Sequence, residues 1–159
     1  FAIENVENIT FKNMTVTNTS EYGCGISMKN AKVELFDVTL TGCEYCALYI
    51  PPTTSESTVV ATRCEFANNR YGAMICGDLT SATFNNCVFH DNKYHGVYAS
   101  QSTIHLHGEA TAIHSNGQNG INAYSGKVLL HLSCLQVGRH GWRNWCLWPC
   151  VDKPSDVNS

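Results

Sequence analysis

Short runs in which apolar and polar residues alternate recur along most of this chain. In Gly25-Ile26-Ser27-Met28, Ala47-Leu48-Tyr49-Ile50, Gly72-Ala73-Met74-Ile75, Gly96-Val97-Tyr98-Ala99 and Gly120-Ile121-Asn122-Ala123 a small residue precedes apolar side chains at alternate positions, and successive starts lie 22, 25, 24 and 24 residues apart. A second series keeps step with the first: Met14-Thr15-Val16, Val38-Thr39-Leu40, Cys64-Glu65-Phe66, Cys87-Val88-Phe89 and Thr111-Ala112-Ile113. A third comprises Val33/Leu35, Val59/Ala61, Ala82/Phe84, Ile104/Leu106 and Val128/Leu130. Period-two alternation predicts strands with one face turned inward. Asn or Gly follows the second series at Asn18, Gly42, Asn68 and, with small offsets, Asn92 and Asn116. Such residues suit corners, because they tolerate left-handed backbone geometry and Asn can hydrogen-bond its own turn.

A unit of about 24 residues carrying three short strands has too little material to close a core alone; it buries its inward side chains by stacking on the next unit. The pattern therefore predicts an all-β fold: a parallel β-solenoid of about five to six coils over residues 1–133. Composition agrees. Only 14% of the residues are charged while 43% are hydrophobic, against about 25% charged in ordinary soluble domains. Helical bundles are disfavoured, and a formal net charge of −3 excludes recognition of nucleic acid through a basic surface. No apolar run is long enough to span a bilayer, and no motif calls for a cofactor.

Over about residues 3–132 the sequence resembles the right-handed parallel β-helix proteins of the pectin-lyase-like superfamily. Right-handedness is implied by that resemblance and not by the periodicity. The stretch His107–Gly117, followed by Gly120-Ile121, is similar to repeats in β-helix proteins of marine algae and large algal viruses. Enzymes of the superfamily cleave or epimerise acidic polysaccharides, so the resemblance implies a test. Lyases need a base with positive charge or calcium, and glycosidases need carboxylates flanking the bond. Here Asp37 falls near Arg63 and Glu44 near Arg70 across single coil steps, which reads as surface ion pairing. Asp78, Asp91 and Glu109 fall on different edges, so no catalytic set is expected.

The pattern ends near Ser133. Trp142, Trp145, Trp148, Cys134, Cys146 and Cys150 lie beyond it, and residues 134–159 read either as an aromatic cap or as an irregular tail. Nine cysteines leave at least one unpaired in a monomer. Cys64 and Cys87 fall at equivalent inward positions one coil apart, as a disulfide or, by preference, as a ladder of free thiols. Cys24 and Cys46 are likewise one coil apart, beside a turn, and could pair. Cys43-Glu44-Tyr45-Cys46 has metal or redox spacing without a partner motif. Asn8, Asn13 and Asn18 open glycosylation sequons. They lean towards a secreted or surface-associated protein, although a chain rich in Asn and Thr generates the tripeptide by chance.

The outward positions carry the remaining chemistry. His90 and His114 lie one coil apart, as do His107 and His131, with His105 two residues before His107; these columns are the candidates for metal ligation. Like residues also recur in an in-register solenoid without any ligand. Tyr49, Met74 and Tyr98 share an outward column with Ser27 and Asn122, and Tyr124 follows. Tyrosines at coil spacing form a flat platform suited to a sugar face or a partner protein. The sequence thus points to a non-catalytic structural or interaction module, within a larger assembly or as a glycan-binding surface protein. Its alternative is a fragment or relative of a polysaccharide lyase, epimerase or hydrolase.

Overall fold

The computed structural model describes residues 1–131 together with the backbone of residues 136–137. Within them all regular structure is strand. The first two coils comprise β1 (Ala2–Glu4) and β2 (Ile9–Val16), then β3 (Ile26–Lys29) and β4 (Lys32–Thr41). Next come β5 (Cys46–Ile50), β6 (Ser57–Thr62) and β7 (Glu65–Ala67), then β8 (Tyr71–Cys76), β9 (Thr80–Asn85) and β10 (Val88–His90). The chain continues with β11 (Val97–Ser100), β12 (Thr103–His107) and β13 (Ala112–His114), followed by β14 (Ile121–Tyr124), β15 (Lys127–His131) and β16 (Gln136–Val137). One sheet has the order β1-β3-β5-β8-β11-β14; the other runs β15-β12-β9-β6-β4-β7-β10-β13-β16, with β2 on β4. Every pairing between these strands is parallel. The result is a β-solenoid of about five stacked coils. No helix among the described residues is long and apolar enough to cross a membrane.

Three corners return the chain to its starting register on each lap, and left-handed residues mark them. Asn13, Asp37, Arg63 and Asn86 occupy one corner with φ of 51°, 53°, 51° and 52°. The strand β4 passes through that corner unbroken, pairing with β6 on one side of Asp37 and with β7 on the other. Gly42, Asn68, Asp91 and Ser115 mark the second corner, and Asn5, Asn30, Gly77, Gln101 and Ser125 the third. The sequence assigned Asn92 and Asn116 to a corner. They sit one residue past it and point inward, at 1% and 9% exposure.

That displacement creates a ladder. Asn69 Nδ2 donates to Asn92 Oδ1 at 3.2 Å, and Asn92 Nδ2 to Asn116 Oδ1 at 2.9 Å. The same oxygens accept from the backbone one coil back, Cys43 N–H to Asn69, Asn69 N–H to Asn92 and Asn92 N–H to Asn116. Each amide nitrogen also donates to a backbone carbonyl, of Leu40, Phe66 and Phe89 respectively. The corner leaves these backbone groups without a ladder partner in the sheet, and a buried unpaired group costs about 1–3 kcal/mol. One side chain per coil satisfies them.

The apolar interior follows the alternation. Leu35, Ala61, Phe84 and Leu106 form one inward column and Val33, Val59, Ala82 and Ile104 its neighbour, all buried. Small and large residues complement each other: Ala82 stands beside Phe84, and Ala61 precedes it in the column. Phe66 and Phe89 stack at 4.6 Å with 7° between their planes, and Phe84 meets both edge-on at 5.5 and 5.0 Å. The small residue opening each face strand also has a cause. A Cβ on Gly72 would lie 2.3 Å from the Gly96 carbonyl oxygen of the next coil.

Replacing Asn92 with Ala should therefore lower stability by ~3 kcal/mol, since it strands Asn69 N–H and the Phe66 carbonyl in the interior. Exchange at the exposed corner residue Asn68 should cost ~1 kcal/mol. Urea unfolding of the two variants checks the order, and equal midpoints would remove the ladder from its assigned role.

Candidate functional site

Among the described residues, functional side chains gather in four groups. The first covers the outward face of the six-stranded sheet. Direct pairing sets Ser27 beside Tyr49, Tyr49 beside Met74, Met74 beside Tyr98 and Tyr98 beside Asn122. Tyr49, Met74 and Tyr98 are half-buried, and Tyr124 is 68% exposed. The turns preceding the sheet, together with the first residue of β8, add a second aromatic row. Tyr45 meets Tyr71 at 5.7 Å and Tyr49 at 6.3 Å, Tyr71 meets Tyr94 at 5.2 Å and His95 at 5.8 Å, and His95 stacks on Tyr98 at 5.9 Å. A continuous aromatic surface results. At its N-terminal end lies an open cleft of ≈ 480 Å³, walled by Phe1, Tyr22, Cys24, Ser27, Tyr45 and Tyr49 among others. Burial pushes the Tyr45, Tyr49 and Tyr71 hydroxyls above the usual tyrosine range, so at neutral pH they are protonated and serve as both donors and acceptors.

His95 anchors this surface from beneath. It is 8% exposed, and burial lowers its pKa. Its Nδ1 accepts from Asn119 N–H at 3.3 Å, and its Nε2 lies 3.1 Å from the Asn122 side-chain amide. Tyr45, Tyr94 and His95 lie in turns, where alternation carries no signal, and Tyr71 opens β8 ahead of the alternating run that begins at Gly72. The step from Tyr45 to Tyr71 does match one coil.

Two further histidine groups lie on the faces either side of the Asp37 corner. His90 pairs with His114 in register, and their rings stack at 5.1 Å. His90 is nevertheless committed to carboxylates: Nδ1 lies 2.7 Å from Asp91 and Nε2 2.8 Å from Glu65, whose other oxygen accepts from Thr39 at 3.2 Å. Burial opposes charge on this ring, but the bonds to Asp91 and Glu65 outweigh it and raise the pKa. Glu65 was not singled out in the sequence, which placed Asp91 alone beside His90. His114 bonds Ser115 at 3.2 Å. On β12 and β15, His107 pairs directly with His131, and His105 lies within reach of both. Burial, then the neighbouring His131 and His105, lowers the His107 pKa. Asp37 and Arg63 form a two-bond ion pair at 2.7 and 2.6 Å.

The fourth group is the thiols. Cys24, Cys43, Cys46, Cys64, Cys76 and Cys87 are all free. Cys64 and Cys87 share a hydrogen bond that lowers the first thiol and, with burial, raises the second. Cys24 and Cys46 do the same: the bond from Cys46 brings Cys24 down to about 7, while that bond and burial raise Cys46. Cys24 borders the aromatic cleft. Of the sequons, Asn8 and Asn13 are exposed at left-handed positions. Asn18 holds its own turn, donating Nδ2 to the Cys24 carbonyl and accepting from Ser20 N–H. Apart from the backbone of β16, the cap or tail over 134–159, with its Trp and Cys residues, lies outside the described residues.

Parallel strands, three faces and a coil-by-coil side-chain register define a parallel β-helix. The chain belongs to the right-handed β-helix family, whose model, described as a right handed beta helix region, matches residues 1–131. No curated protein and no solved structure matches the chain.

Two expectations follow from the ionisable groups. His90 has a raised folded pKa, so its stabilisation is complete below its unfolded value of about 6.5 and is lost as pH rises through the folded one. Urea midpoints should fall over that range, and His90→Gln should remove this part of the slope; parallel profiles would contradict the assignment. Limited alkylation near neutral pH should modify Cys24 ahead of Cys43, Cys46, Cys64, Cys76 and Cys87, as read by peptide mass mapping.

Proposed function

We propose that this β-helix is a non-catalytic binding module whose aromatic face takes carbohydrate. The observation that carries the reading is the unbroken aromatic surface from Tyr45 through Tyr71 to Tyr94, flanked by Tyr49, Met74 and Tyr98 and opening into a cleft beside Ser27. Sugar rings offer apolar C–H faces that pack on aromatic rings and hydroxyls that bond at their edges, the combination tyrosine supplies. The rings are held by the sheet and by one another, so little side-chain freedom is lost on binding. Low charge favours a neutral polymer.

A second reading, cleavage of acidic polysaccharide, draws on Glu65 and Asp91, which His90 brings together. Both carboxylates are occupied by that imidazole, and Glu65 also accepts the Thr39 hydroxyl. Such saturation suits a structural cluster better than an acid and a nucleophile poised for substrate.

Affinity electrophoresis through gels containing neutral glucan, mannan, xylan or galactan, with pectate and alginate beside them, separates the readings. Retardation by a neutral polymer is expected. Tyr49→Ala or Tyr98→Ala should weaken it about tenfold, ~1.4 kcal/mol. Unsaturated or shortened products from pectate or alginate would favour the enzyme instead. An interaction with protein alone, lost in the same variants, would keep the surface and change the ligand.

A further inference from the structure

We propose that His105, His107 and His131 form a binding site for a first-row divalent metal ion of the zinc class. The strand β12 presents His105 and His107 two residues apart, so both point outward on the same side. The strand β15 brings His131 directly opposite His107. One nitrogen from each of the three rings lies within 4.8 Å of the other two. His105 Nδ1 is 3.2 Å from His131 Nε2. The rings stack nearly parallel, His107 on His131 at 4.2 Å and 3°, and His105 on His131 at 5.4 Å and 10°.

Coil repetition accounts for only part of this cluster. His107 and His131 are like on like, but the previous coil carries Asn85 in that column. His105 has Thr83 on one side and Leu129 on the other. The third imidazole therefore owes nothing to register. Imidazole nitrogens are ligands for zinc, copper and nickel. His105 and His107 are half-exposed and His131 is exposed; turning the rings out of their parallel stack about χ1 and χ2 brings three nitrogens to about 2.0–2.1 Å from a common point. Three imidazoles leave the fourth tetrahedral position to water or to an incoming oxygen ligand. This surface belongs to the strands of the ten-stranded sheet, apart from the aromatic face, so the proposal stands independently of carbohydrate binding.

The test follows the histidine rings themselves, because the cysteines also have affinity for zinc. The ¹⁵N-labelled full chain is titrated with zinc chloride while long-range ¹H–¹⁵N spectra report every imidazole. His105, His107 and His131 should shift together on addition of one equivalent, with His90 and His114 unmoved. His107→Asn and His105→Thr install the residues that the preceding coil carries at those positions, which preserves the packing. Each should weaken the zinc response of the remaining rings by about 100-fold. Three rings that stay unmoved in excess zinc would overturn the proposal. So would zinc or cobalt uptake confined to thiols, or a response in either variant equal to that of the unaltered chain.

Discussion

The fold depends on keeping successive coils in register at their corners, where the sheets cannot supply the hydrogen bonds. Within strands, parallel pairing meets this need automatically. At the corner after β7, β10 and β13 the backbone turns, and its amides and carbonyls would face the interior alone. Asn69, Asn92 and Asn116 bond them and one another. An asparagine has both a donor and an acceptor on one short planar group, so a single residue type serves the coil before and the coil after. Cys43 holds the corresponding place in the second coil, and there only its backbone N–H joins the ladder.

Core and candidate sites are products of that one constraint. Because each strand lies directly on its predecessor, a residue's inward neighbour becomes a packing partner and its outward neighbour shares its patch of surface. Phe66 on Phe89 fills the interior by the same mechanism that lays Tyr49 against Met74 and His107 against His131. Chemistry on this scaffold is written in columns, and a site requires two adjacent columns to cooperate. The aromatic face joins a strand column to a turn row. The histidine cluster joins positions two residues apart on a single strand to the strand beside it.

The strand columns were legible in the sequence because alternation and coil spacing both report them. That covers the three strand series, the inward rungs, the order Ser27, Tyr49, Met74, Tyr98, Asn122, and the ion pair of Asp37 with Arg63. Turn residues were less legible, since their direction is set by backbone angles that period two does not encode. Asn92 and Asn116 were assigned to a corner although the left-handed positions belong to Asp91 and Ser115. A shift of one residue turned a surface amide into an interior one. Glu65 escaped notice because it reaches His90 diagonally, from the position opposite Val88. Tyr45 and Tyr94 were hidden for the same reason as the asparagines, and Tyr71 because it opens β8 before the alternation begins.

The three left-handed corners carry a consequence for the way such a chain changes length. Each lap ends where it began, so a whole lap is the natural unit of gain or loss: removing one brings two already compatible strands together on all three faces. A single-residue change has no such refuge, because it exchanges the inside and outside of every strand up to the next corner. Corners absorb small differences instead, as the unequal laps of this chain attest. Growth by whole turns, with slack confined to the bends, makes the molecule closer to a screw thread than to a globule.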